Sequence, residues 1–146
     1  MALPEFDESG ELPEGIHLAS LGEVVARFGV GGAQRRAVCG RLERIYELAK
    51  ATGGLGRFVI FGSFVTSKPA PNDVDIILIM RDDFDLSACG GESRLLFEHA
   101  QAERSFGASV FWIRPALLLS EIADEFIAHW QMKRDGTRRG IVEVEV

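Results

Sequence analysis

A chain of 146 residues suits one domain with a single core, and 47% hydrophobic with 26% charged residues is the make-up of an ordinary globular protein. A net charge of −6 argues against a general nucleic-acid binder, whose phosphate contacts need a surplus of Lys and Arg, though it leaves room for a local basic groove. Cys39 and Cys89 stand far apart in no metal-ligand spacing and read as reduced thiols; no apolar run reaches the length of a membrane span.

Residues 1–15 are acidic and proline-bearing without periodicity, and read as an extended or partly disordered arm before a domain spanning 16–146. Met1–Glu11 lacks the apolar stretch of a signal peptide, so the expected location is the cytoplasm, with no membrane contact. His17, a lone histidine, reads as a packing or capping residue rather than a ligand.

Ser20 followed by Glu23 is a capping box, which predicts a short helix burying Leu21, Val24 and Val25. Gly29-Val30-Gly31-Gly32 ends it; with no strand before it and no Lys-Ser/Thr after it, this is a hinge and not a phosphate loop. Val38, Leu42, Ile45 and Leu48 recur at helical spacing and predict a helix over 33–51. Arg35, Arg36, Arg41, Arg44 and Lys50 fall mostly off that stripe and read as a solvated face.

Phe58-Val59-Ile60-Phe61 reads as a buried strand ending in Gly62-Ser63, where the backbone can turn closely. A polar loop over 66–72 leads to Asp73-Val74-Asp75 and a second apolar strand, Ile76–Met80. Residues 81–91 form a turn in which Asp82, Asp83 and Asp85 are solvated. A helix over 92–104 presents Leu95, Leu96, His99 and Ala102 on one side. A third strand over 107–113 ends at Arg114-Pro115, and a helix over 116–131 carries Leu119, Ile122, Phe126 and Trp130. Asp135-Gly136 signals a turn. The alternation of 140–146 predicts a last strand at a sheet edge with one face buried. Lys133, Arg134, Arg138 and Arg139 around that turn read as a solvated basic loop, with contact to a phosphate-bearing partner as the alternative. The whole is α+β: a small mixed sheet with helices mainly on one face.

Asp73 and Asp75 sit at i and i+2, so at a strand start both point to one face. Two carboxylates so close repel, and a hard divalent cation offsets the repulsion; Mg²⁺ is typically held by one or two carboxylates together with phosphate oxygens. Gly62-Ser63 presents backbone N–H groups and a hydroxyl at a turn, which suits a phosphate.

Gly62-Ser63 followed by Asp73-x-Asp75 resembles the signature of the nucleotidyltransferase superfamily with the polymerase-β-like fold, in its minimal single-domain form. The stretches GSFVTSKPAPNDVDI and WQMKRDGTRRGIVEVEV resemble a small uncharacterised bacterial branch of it. The resemblance implies that fold, and transfer of a nucleoside monophosphate from a nucleoside triphosphate, expected to be ATP, to a hydroxyl of a protein or small molecule. It implies Mg²⁺ or Mn²⁺ on Asp73 and Asp75 as the catalytic acids, β- and γ-phosphates on Gly62 and Ser63, and Lys68 as a further charge partner of the phosphates. Active members carry a third carboxylate on the next strand; here Ser109 stands in its place, and Glu103 precedes that strand. A neutral hydroxyl is a poor ligand for a hard dication and no base near neutral pH. The alternative is a pseudoenzyme, a nucleotide- or partner-binding module such as an antitoxin. Minimal members of the superfamily often act in toxin–antitoxin pairs, which makes a protein partner or a homodimer an expectation.

Overall fold

The computed structural model describes residues 3–115, 120–133 and 135–146. Five strands and five helices follow in the order β1 (Gly15–Ala19), α1 (Leu21–Phe28), α2 (Ala33–Ala51), β2 (Leu55–Phe61), β3 (Asp75–Met80), α3 (Gly91–Arg94), α4 (His99–Phe106), β4 (Ser109–Ile113), α5 (Ser120–Gln131) and β5 (Gly140–Val144). The strands form one mixed sheet in the order β1-β5-β2-β3-β4. β2 runs antiparallel to both β3 and β5, while β1 pairs β5 and β4 pairs β3 in parallel.

Side chains alternate across this sheet and build two apolar layers. On one face Phe58, Ile60, Ile76, Leu78, Val110, Val142 and Val144 meet Val24 and Phe28 of α1, Val38, Leu42 and Ile45 of α2, and Ala102 of α4. On the other, Val59, Phe61, Ile77, Ile79 and Ile141 meet Ile127, with Phe126 and Trp130 packed against them, all from α5. The α+β class and the mixed sheet agree with the sequence reading, and α5 covers the second face. The side chains of Leu119 and Ile122, and Arg134 of the basic turn, lie outside the described residues.

Local signals account for several elements. Ser20 accepts from the Glu23 amide and Glu23 accepts from the Ser20 amide, so the capping box starts α1 as expected. α2 spans Ala33–Ala51 and buries Val38, Leu42 and Ile45. Four readings need correction. β5 is not at the edge but between β1 and β2, because β1 pairs along its outer side; Glu143, which fell in the polar half of the alternation, is paired with Arg57 at 2.6 Å. β1 was not expected as a strand: its apolar Ile16 and Leu18 are 41% and 47% exposed, so it carries no buried alternation to read. The helix predicted over 92–104 is broken at 95–98, where Leu96 and Phe97 turn inward, Phe97 joins Phe84 and Trp112, and Glu98 caps α4 through the Gln101 amide. The segment before β1 is extended but packed. Leu12 is 1% exposed in the core, and Phe6 lies 6.2 Å from Phe28, ring to ring.

Arg35 departs most from its reading. It is 6% exposed and donates to the carbonyls of Phe28, Phe64, Thr66 and Lys68 at 2.6–3.1 Å. Burial pulls its pKa down from the ordinary value, yet a guanidinium keeps its charge in a protein. Gln34 adds a bond to the Pro71 carbonyl at 3.1 Å, and the Ser67 amide donates to Gly10 at 2.9 Å. The loop joining β2 to β3 is therefore held from two sides. Replacing Arg35 with Met strands two buried and two half-buried carbonyls, and chemical denaturation should show a loss of about 3 kcal/mol; a loss under about 1 kcal/mol would mean the loop is held by other contacts.

Candidate functional site

The site forms where β2 ends and β3 begins. Val74 is fully buried on the α1–α2 face, so its neighbours Asp73 and Asp75 turn to the opposite face, the one that α5 covers further along. Asp75 opens β3 and lies opposite Phe61 of β2 and Ser109 of β4. The Ser109 hydroxyl donates to Asp73 Oδ2 at 3.1 Å and lies close enough to Asp75 to hold its pKa down. The Val74 amide donates to Asp73 Oδ1 at 2.7 Å, and the Ser109 amide donates to the Val74 carbonyl at 3.1 Å. One serine thus ties Asp73 to the neighbouring strand and stands beside Asp75.

Gly62 closes the other side. Its φ of +86° is a conformation that residues with a Cβ rarely adopt, and a Cβ there would lie 2.0 Å from Asp75 Oδ2. The bend and the carboxylate are therefore in contact through bare backbone. Ser63 follows, half-buried, at the head of a short 3₁₀ turn over Ser63–Val65, and its carbonyl accepts from the Thr66 amide and hydroxyl.

Burial pushes the Asp75 pKa up from 3.8 to about 6, and the Asp73 charge beside it adds to the rise; Arg139 and the Ser109 hydroxyl act in the opposite sense. Arg139 lies on the same face, its guanidinium 5.1 Å above the Phe61 ring and its Nε donating to the Trp130 carbonyl at 2.9 Å.

The structure thus brings Asp73, Asp75, Gly62 and Ser109 together, with Ser63 next to Gly62. Lys68 stands apart: its backbone is held by Arg35 and Thr66, its side chain is exposed, and among the described residues no hydrogen bond or ion pair joins its ammonium to the acids. Glu103 does not reach the pair either; it lies on α4 with His99, 3.6 Å away. His99 stacks on Phe111 and His17 bonds to the Pro13 carbonyl, so both serve packing, as expected. Both cysteines are free thiols. Sequence reasoning missed Arg35 and Arg139 as parts of this region. For Arg35 a signal existed: a cation in the first turn of a helix opposes the helix dipole and calls for another partner.

As a metal centre the donor set is all oxygen, which suits a hard dication. Among the described residues no group of three or more His, Cys, Asp or Glu forms a cage. Asp73 and Asp75 fit one Mg²⁺, which they would hold with water and phosphate oxygens filling its other positions; with Ser109 facing them, the residues do not fit a second. A separate cavity of about 340 Å³, lined by Gly54, Arg81, Asp83 and Asp85, opens at the far end of β2 and β3, on the order of 20 Å from Asp75. It shares no residue with the acid pair.

The chain belongs to DUF6932, a family of unknown function whose model matches residues 4–145. No curated protein and no solved structure matches it. The family match includes the packed segment before β1. No helix among the described residues is long and apolar enough to cross a membrane.

The raised Asp75 pKa sets a pH dependence. Between about pH 4 and 6 the folded chain keeps a proton that the unfolded chain has released, so the contribution of this group is full below pH 4 and lost as pH rises through 6. The loss is on the order of 2 kcal/mol after allowance for solvent screening. Denaturation of Asp75→Asn at pH 5 and pH 7.5 should show that fall removed relative to wild type; an identical pH profile would mean that Asp75 is not the group responsible.

Proposed function

We propose that the protein is a minimal nucleotidyltransferase-like protein that binds a Mg²⁺–nucleoside triphosphate at Asp73, Asp75 and the Gly62-Ser63 bend. The observation that carries this reading is the contact of the Gly62 backbone with the Asp75 carboxylate, which sets a phosphate-compatible turn against an unneutralised acid pair. Asp73 and Asp75 would hold the cation, and Gly62 and Ser63 the β- and γ-phosphates. Mg²⁺, when bound, supplies charge neutralisation for the triphosphate. In the transfer itself an acceptor hydroxyl oxygen forms a bond to the α-phosphorus. The bond from that phosphorus to the bridging oxygen breaks and pyrophosphate leaves. The acceptor's proton passes to water, since Ser109 offers no base where a carboxylate would take it.

Ser109 also favours a second reading, a nucleotide-binding module that has lost efficient transfer. Its hydroxyl donates to Asp73 and lies beside Asp75, so it steadies the acids without adding the negative charge that a further dication needs.

Calorimetry with Mg²⁺ and ATP tests the binding site. Wild type should bind, and Asp73→Ala with Asp75→Ala should weaken binding beyond about 100-fold; unchanged binding by the double variant would refute the site. Labelled-triphosphate transfer in cell lysate, with each of the four nucleotides, separates the two readings. Labelling by wild type supports the transferase. Labelling only by Ser109→Asp supports the module that has lost its third acid. Labelling by neither, with ATP bound by wild type, leaves binding as the function.

A further inference from the structure

We propose that Arg139 is the cationic arm of this site and grips the outer phosphates of the bound triphosphate, an inference that rests on the nucleotide reading above. The basic turn after α5 is not uniformly solvated. Lys133 pairs with Glu11 at 2.9 Å and Arg138 with Glu14 at 3.0 Å, so the acidic segment before β1 neutralises these two cations. Arg139 is different. It immediately precedes β5 with the same parity as Ile141, so it faces the side of the sheet that carries Phe61 and Asp75.

Its guanidinium is fixed but not consumed. Nε is bound to the Trp130 carbonyl and the plane lies over Phe61, while among the described residues its Nη groups have no hydrogen-bond partner. Among the same residues no ion pair closes between Arg139 and Asp75, although Phe61, the ring under the guanidinium, is the direct cross-strand neighbour of Asp75. A counter-ion whose role was only to neutralise Asp75 would close that gap. A held fork with free donors, set a short way from two carboxylates, instead leaves room for an anion to bridge to it through the cation on the acids. Arg139 also lines an open cavity of about 710 Å³ with His129, Trp130, Met132, Lys133 and Asp135, which has the size of a small-molecule site but includes neither acid of the pair. Ser109 removes the place for a second dication, and a fixed guanidinium supplies positive charge to the phosphates from the other side.

Calorimetry on the full chain with Mg²⁺–ATP and Mg²⁺–AMP tests this, because AMP lacks the outer phosphates. Arg139→Ala should weaken ATP about 30-fold and change AMP less than about threefold; Arg139→Lys should recover most of the ATP affinity, and the neighbouring control Arg138→Ala should stay within about twofold. Should Arg139→Ala fail to fold, the ATP-to-AMP preference of Arg139→Lys decides: a preference close to that of wild type supports the role, and its absence overturns it. Equal loss of ATP and AMP in Arg139→Ala marks a structural role and also overturns it. Unchanged ATP binding by Arg139→Ala, with loss in the Asp73→Ala, Asp75→Ala chain, overturns Arg139 alone. No Mg²⁺–ATP binding by wild type removes the nucleotide reading together with this one.

Discussion

Repulsion between Asp73 and Asp75 is the constraint around which the centre of the molecule is arranged. With Val74 driven into the core between them, the two carboxylates have no choice but to share one face, and burial of Asp75 makes the cost larger. The fold contains that cost with neutral or distant groups. The Ser109 hydroxyl and the Val74 amide both bond Asp73, and beside Asp75 Gly62 gives way by having no side chain at all. None of these removes the negative charge. On the proposed reading, a site built this way is ready for a cation and for the anion that comes with it.

The supports of the loop between Gly62 and Asp73 follow the same logic. A loop carrying a bend that must meet a carboxylate cannot wander, and Arg35 holds it by three of its carbonyls while joining it to the end of α1. The segment before β1 closes from the other side, through Gly10 on Ser67, and then reaches the far turn through Glu11 and Glu14. The Arg138–Glu14 pair is exposed and contributes little stability, while the Lys133–Glu11 pair is half-buried. Their effect is on position: with Lys133 and Arg138 drawn to the arm, Arg139 is, among the described residues of the turn, the cation left facing the sheet.

Local signals in the sequence were enough for the elements whose own residues decide them. The capping box at Ser20, the stripe of α2, the apolar runs of β2 and β3 and the same-face placement of the two aspartates were all legible, because each depends on neighbours a few residues away. What was not legible depends on distant partners. β1 exposes its apolar residues, so its pairing with β5 leaves no local trace. Glu143 looked solvent-facing until Arg57, on another strand, supplied its counter-charge. Arg139 sat in a run of cations, which says nothing about which member turns inward, and the first-turn position of Arg35 called for a partner without saying which. Ser109 was the exception. Its place opposite Asp75 was expected from the order of strands and the resemblance, and the register bears that placement out.

A carboxylate pair, a bare glycine bend and an adjoining serine form one geometric unit, and the functional account depends on that unit accepting a metal and a polyphosphate at once. The most direct measurement is anomalous diffraction from crystals grown with Mn²⁺ and a non-hydrolysable triphosphate. The account predicts one manganese peak between Asp73 and Asp75, with phosphate density running along Gly62 and Ser63. Manganese elsewhere, or a triphosphate seated away from the bend, would contradict it.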